Sequence, residues 1–235
     1  MPVVLKHTPI EPPEEPPRRK FTRDERERLD ATGLFNLNCF ELIDGAFYDR
    51  NARKKLWTRS ECELMERAGI DTEHLELIGG ELIDKMGNSP HSTVVTLLFQ
   101  WLYLTFSFLR VQQERPIEVA DADRPLYSPQ PDLLVLRKSA TRFRNSLPGA
   151  ADILLVVEVS DTSLPWDLRT KGPLYARTGM PEYWVFDINS RRLIVHRDPS
   201  GGKYRSVKTY REHQSVAPLA APESPFPVAA AFVED

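Results

Sequence analysis

Two apolar runs, Leu133–Leu136 and Ile153–Val157, have the length and β-branched content of buried strands. Four more segments extend the set: Val111–Val119, Glu182–Asp187, Arg192–Arg197 around an Asn189-Ser190 turn signal, and Lys203–Tyr210. Pro125–Pro131 is an irregular connection, residues 138–151 a basic loop closed by Pro148-Gly149, and the Pro-rich end from Pro218 a closing extension. Helical signals fall between the strands. Asp167 is read as the N-cap of a helix through Arg177 with Gly179 as its stop, and Pro173 either kinks it or defers its start. Ser92 to Leu109 contains no charge over eighteen residues, which touches the threshold for a membrane span. Its hydroxyl and amide side chains, and its place between strand-like elements, favour a helix covering one sheet face and buried nearly all round.

The first half of the chain repeats itself. Phe21-Thr22-Arg23-Asp24-Glu25 leads a helix-like run and then Phe40–Asp49; Trp57-Thr58-Arg59-Ser60-Glu61 leads a second run and then Leu75–Asp84. Each copy reads as a capped short helix followed by a hairpin, with Thr three residues before Glu as in a capping box. The copies differ where chemistry would sit, because the first has Ala46 at the position of Glu81. This divides the chain into a Pro-rich tail over 1–20 expected to be disordered, a degenerate duplicate over 21–56, and the main domain over 57–235.

At 235 residues the chain suffices for one α/β domain with a substantial core. A net charge of −3 gives no global attraction to a polyanion, so nucleic-acid contact needs a local basic face. Arg137-Lys138 with Arg142 and Arg144, and the cluster Arg191 to Arg211, are the candidates, with solvated loop or strand faces as the plainer account. Cys39 and Cys62 form no CxxC pattern, and no signal peptide is read at the N-terminus, so a cytoplasmic location is expected.

Chemistry concentrates around the two buried runs. Asp132 precedes the first and Glu158 ends the second, and buried carboxylates are costly without partners. A shared divalent cation is a natural partner, because hard cations take carboxylate oxygens. Asp167 and Lys171 follow within thirteen residues of Glu158, and a cation beside two carboxylates suits phosphodiester chemistry.

Pro131-Asp132, Val157-Glu158-Val159, Asp167-x-x-x-Lys171-x-x-Leu174-Tyr175-x-x-x-Gly179-x-Pro181-Glu182-Tyr183-Trp184, and Glu76-Leu77-Ile78-Gly79-Gly80-Glu81-Leu82 followed by His91, together resemble a putative restriction endonuclease family of the PD-(D/E)XK nuclease superfamily. The resemblance covers roughly residues 57–235. It implies an α/β fold with a restriction-endonuclease-like core, a central mixed β-sheet flanked by helices, here with an N-terminal helix-hairpin extension. It also implies a metal-dependent endonuclease acting on DNA as a homodimer, with no membrane partner. Asp132 and Glu158, with Glu81 as an additional acid, would hold Mg2+, or Mn2+ in its place. Lys171 would be the catalytic lysine, since the usual position two residues after the Glu is Ser160; the competing account is a surface i,i+4 pair with Asp167. Gly79 stands where the family more often has Asp, a gap that Asp44 of the first copy could fill. His91 would contact phosphate or Glu81. The alternative function is a catalytically degenerate nuclease fold that serves as a nucleic-acid-binding or assembly module.

Overall fold

The computed structural model describes residues 15–35, 37–85 and 89–232. The Pro-rich tail therefore lies mostly outside the described residues, apart from 15–20. The chain opens with α1 (Arg23–Ala31), β1 (Phe40–Ile43) and β2 (Ala46–Asp49), then α2 (Arg59–Arg67), β3 (Leu75–Ile78) and β4 (Glu81–Asp84). Both helices begin with a complete capping box, Thr22 with Glu25 and Thr58 with Glu61, and each hairpin pairs antiparallel over four residues. One apolar cluster joins the two units: Phe21, Leu29, Phe47 and Trp57 pack with Met65, Leu75, Leu77 and Leu82. Arg18 bridges antiparallel to Ile83, with Arg19 N–H donating to the Leu82 carbonyl and Asp84 N–H to that of Pro17. Residues 17–19 thus lie alongside β4 as a third strand-like segment.

A long helix, α3 (Ser89–Phe106), leads to the main sheet: β5 (Val111–Gln113), β6 (Leu133–Leu136), β7 (Ile153–Ser160), β8 (Glu182–Asp187), β9 (Arg192–Ser200) and β10 (Lys203–Arg211). The spatial order is β10-β9-β8-β7-β6-β5, antiparallel except for the parallel pair β7–β8. That pair needs a crossover, supplied by α4 (Leu164–Trp166), a π-helical segment over Asp167–Lys171, and α5 (Gly172–Thr178), which Gly179 ends with φ +86°. A short pair, β11 (Ser215–Val216) with β12 (Phe226–Pro227), closes the chain against the sheet. The predicted strand from Val111 stops at Gln113 because Glu114 takes φ +45° and Pro116, which has no N–H to give a ladder, follows.

The sheet is covered on both faces, and the two-residue side-chain period sorts each strand between them. Leu133, Val135, Leu155, Val157, Trp184 and Phe186 pack with Val94, Leu98, Leu102 and Phe106 of α3. Leu134, Leu136, Val156, Tyr183 and Val185 face the other way, toward Tyr175 and Met180. The α3 helix is not buried all round: Tyr103 and Leu104 are 43% and 73% exposed on its outer side. No helix among the described residues is long and apolar enough to cross a membrane.

Candidate active site

The alternation that builds the two cores also aims the carboxylates. Leu133 pairs with Val157 and Leu134 with Val156, so one step further along the same register Asp132 stands opposite Glu158. Both share the face of Leu134 and Val156, the one covered by α5. Directly opposed residues have Cβ atoms about 4.5–5.5 Å apart. The Asp132 carboxylate also accepts the Val159 N–H through Oδ2 at 2.7 Å, which fixes it across the strand end.

Two buried acids side by side require compensating cations, and the fold provides them from separate directions. Lys171 Nζ lies 2.9 Å from Glu158 Oε1, and Tyr175 donates its hydroxyl to the same oxygen at 2.8 Å. Lys171 also meets Glu76, at 3.1 Å to Oε1 and 2.9 Å to Oε2, with Asp167 Oδ1 at 3.8 Å. Lys171 is therefore a buried ammonium among three carboxylates, and its contact with Asp167 is not a surface pair. The π-helical segment spans these two residues, and Ser160 and Ser163 both donate to Asp167 Oδ2. Ser160, two residues after Glu158, thus orients an acid that faces Lys171.

Two residues that the sequence did not single out complete the cluster. Glu76 reaches the site because β3 docks on the segment leading to Asp132: Ser128 N–H donates to the Leu77 carbonyl, and Gln130 N–H donates to Glu76 Oε1 at 2.6 Å. Lys85, one residue past β4, donates to the Gln130 carbonyl and to Asp132 Oδ1 at 3.1 Å. His91 Nε2 lies 3.1 Å from Asp132 Oδ2, so its partner is Asp132 and not Glu81. The signal for Glu76 was its place in the Glu76–Leu82 motif; Lys85 carried none.

Glu81 is not brought into this cluster. It shares a hairpin face with Glu76, since Ile78 pairs with Glu81 and Glu76 with Ile83, but it sits two residues further along at the turn, about 7 Å away. There it is held by Arg18 Nε at 2.7 Å and Lys54 Nζ at 2.6 Å. Asp44 does not fill the place of the missing Asp at Gly79 either: it is exposed and pairs with Lys20. Gly79 itself adopts φ +62°, a conformation that side chains resist.

The electrostatics follow from burial and pairing. For Asp132 burial disfavours the charge, but Lys85, His91 and Lys171 outweigh it and hold its pKa well below the usual carboxylate range. Burial pushes Glu158 up, the Asp132 charge adds to the shift, and Lys171 opposes it. Burial likewise raises Asp167 against the pull of Lys171. Burial works against the charge on Lys85, yet Asp132 and Glu76 keep its pKa raised; for His91 the bond to Asp132 overcomes burial in the same sense. These groups open on a cavity of about 120 Å³ lined by Glu76, Lys85, His91, Asp132, Glu158, Asp167 and Lys171. Asp84, Glu114, Asp161, Thr162, Ser163 and Trp166 extend the wall, and Pro16 and Pro17 bound it from the N-terminal segment.

The donor set is one of hard oxygens, which suits Mg2+ or Mn2+ better than a thiolate-seeking metal. Among the described residues no three His, Cys, Asp or Glu side chains form a ready metal cage. Mg2+ does not require one, since it commonly uses one or two carboxylates and keeps several waters.

A mixed six-stranded sheet with a buried acid–lysine cluster at the β6–β7 junction defines a restriction-endonuclease-like α/β protein. The fold is shared with the crystal structure of a protein from Anabaena variabilis ATCC 29413 described as a putative nuclease belonging to DUF820, at a TM-score of 0.55 and 17% identity over 67% of this chain and 89% of that one. A model of the Uma2 family, described as "Putative restriction endonuclease", matches residues 62–229, and the chain belongs to that family. None of the curated proteins matches it.

Proposed function

We propose that the chain is a metal-dependent endonuclease that hydrolyses phosphodiester bonds in DNA. The observation that carries this reading is the opposed pair Asp132–Glu158, buried, on one sheet face, at the wall of a cavity that also holds two lysines. Asp132 and Glu158 would hold Mg2+, or Mn2+ in its place, with Glu76 as the nearby third acid. When bound, the ion supplies Lewis-acid stabilisation of phosphate oxygens and acidifies water. The chain's own residues fix the geometry: the Val159 N–H and His91 orient Asp132, and Tyr175 and Lys171 orient Glu158. A two-fold homodimer would let two sites address the two strands of a duplex.

A second reading, a degenerate site in a nucleic-acid-binding or assembly module, is favoured by one observation. Lys85 and Lys171 already neutralise much of the carboxylate charge. Plasmid DNA incubated with purified protein and Mg2+ or Mn2+ separates the two. Nicking by the wild type that Asp132→Ala and Glu158→Ala both abolish is the expected result. Absence of cleavage by the wild type, or nicking that survives both substitutions, rejects the nuclease reading.

A further inference from the structure

Two ammonium groups stand in the cavity, and they are not equivalent. Lys171 has carboxylates on every side that matters: Glu158 Oε1 at 2.9 Å, both oxygens of Glu76 at 3.1 and 2.9 Å, and Asp167 Oδ1 at 3.8 Å. Its side chain is 4% exposed. Lys171 donates to Glu158 Oε1 and Glu76 Oε1, and Glu76 Oε2 and Asp167 Oδ1 stand as further anionic neighbours of the same ammonium. To touch a phosphate it would have to turn away from acids that are themselves buried and would be left without their counter-charge.

Lys85 is placed differently. Two of its N–H bonds point at the Gln130 carbonyl and Asp132 Oδ1, and no third acceptor contacts Nζ among the described residues. Its side chain is 13% exposed and lines the cavity wall together with Asp161, Thr162 and Ser163. It reaches Asp132 from one residue past the end of β4, an element separate from the one that carries Lys171. Acids outnumber cations on the surrounding wall, so a phosphate entering the cavity finds few positive donors.

We propose that Lys85 is the ammonium that contacts the scissile phosphate, and that Lys171 is a positioning residue which holds Glu158 and Glu76. This rests on the nuclease reading above. In the hydrolysis, a water oxygen bonds to phosphorus, the phosphorus–oxygen bond to the departing sugar oxygen breaks, the water gives up a proton, and the departing oxygen gains one. Lys85 stays protonated throughout and donates its uncommitted N–H to a non-bridging phosphate oxygen, where charge accumulates.

Two readouts on the full chain test this, using wild type, Lys85→Met and Lys85→Arg. One is single-turnover cleavage of a duplex oligonucleotide in Mg2+. The other is fluorescence anisotropy of the same labelled duplex across a salt series with Ca2+ replacing Mg2+. Lys85→Met is expected to slow cleavage about 100-fold, as for loss of one donor to a developing oxyanion, with Lys85→Arg recovering at least about tenfold. It should also flatten the salt dependence of binding by about 0.9, the value of one phosphate contact. Lys85→Gln is the second variant should methionine impair folding, because it keeps a donor toward Gln130 and Asp132 without the charge. If the wild type cleaves while Lys85→Met stays within about threefold and keeps the same salt slope, the assignment is overturned and the nuclease reading stands. A wild type that binds the duplex with a Lys85-dependent slope but never cleaves supports the phosphate contact and removes the hydrolytic role. A wild type that neither binds nor cleaves overturns both.

Discussion

Replacing Lys171 with methionine takes a buried charge away from three acids while keeping most of the side-chain volume. Nζ is 2.9 Å from Glu158 and from Glu76, and every side chain in these pairs is at most 4% exposed, so water does little to screen them. Removing one member of a buried pair costs about 3–5 kcal/mol. Three carboxylates are left behind here, which places the effect toward the upper end unless one takes up a proton. Glu158 is the acid best prepared to do so, because burial and the neighbouring Asp132 already push its pKa up. Domains of this kind have only about 5–15 kcal/mol of net stability, so the substitution consumes a large part of it. Urea unfolding followed by tryptophan fluorescence in the presence of EDTA should show a midpoint lowered by roughly 1–2 M. Adding Glu158→Gln should return part of the loss, with a coupling of at least about 1 kcal/mol. A single variant whose midpoint lies within about 0.3 M of the wild type would show that Lys171 does not neutralise this cluster and would refute the reasoning.

Glu76→Gln should weaken Mn2+ binding measured by calorimetry, whereas Glu81→Gln should leave it unchanged, because Glu81 is committed to Arg18 and Lys54; equal effects would reject the assignment of Glu76 to the site. His196 lies between Tyr183 and Tyr204, and burial lowers its pKa. The unfolded chain therefore binds this proton more readily than the folded one, and the residue costs stability as pH falls through the ordinary histidine range near 6.5. His196→Phe should flatten the stability profile between pH 7 and about pH 5, measured by urea midpoints, and an unchanged slope would contradict it.

The strands around the site were legible because their apolar content is dense and each carries a single acid at its end. Extending one register then brings Asp132 and Glu158 together. The choice between Glu76 and Glu81 was not legible: both lie on one face of the same hairpin, and only the docking of β3 on residues 126–130 decides which reaches the cavity. Nothing in the sequence marks Lys85, whose contacts in the site include Gln130, forty-five positions away. Asp167 and Lys171 had the spacing of an exposed helical pair. A π-helical segment buried them both, and local propensity gives no warning of one. The outer side of α3 erred in the opposite direction, since a charge-free sequence does not require burial of Tyr103 or Leu104.

Residues 17–19 run beside β4, and Pro16 and Pro17 form part of the rim of the acidic cavity. The described part of the chain thus begins beside this cavity. An affinity handle joined directly to Glu15, in place of residues 1–14, would sit at the doorway, and binding or kinetics recorded with it would mix the behaviour of the handle with that of the protein.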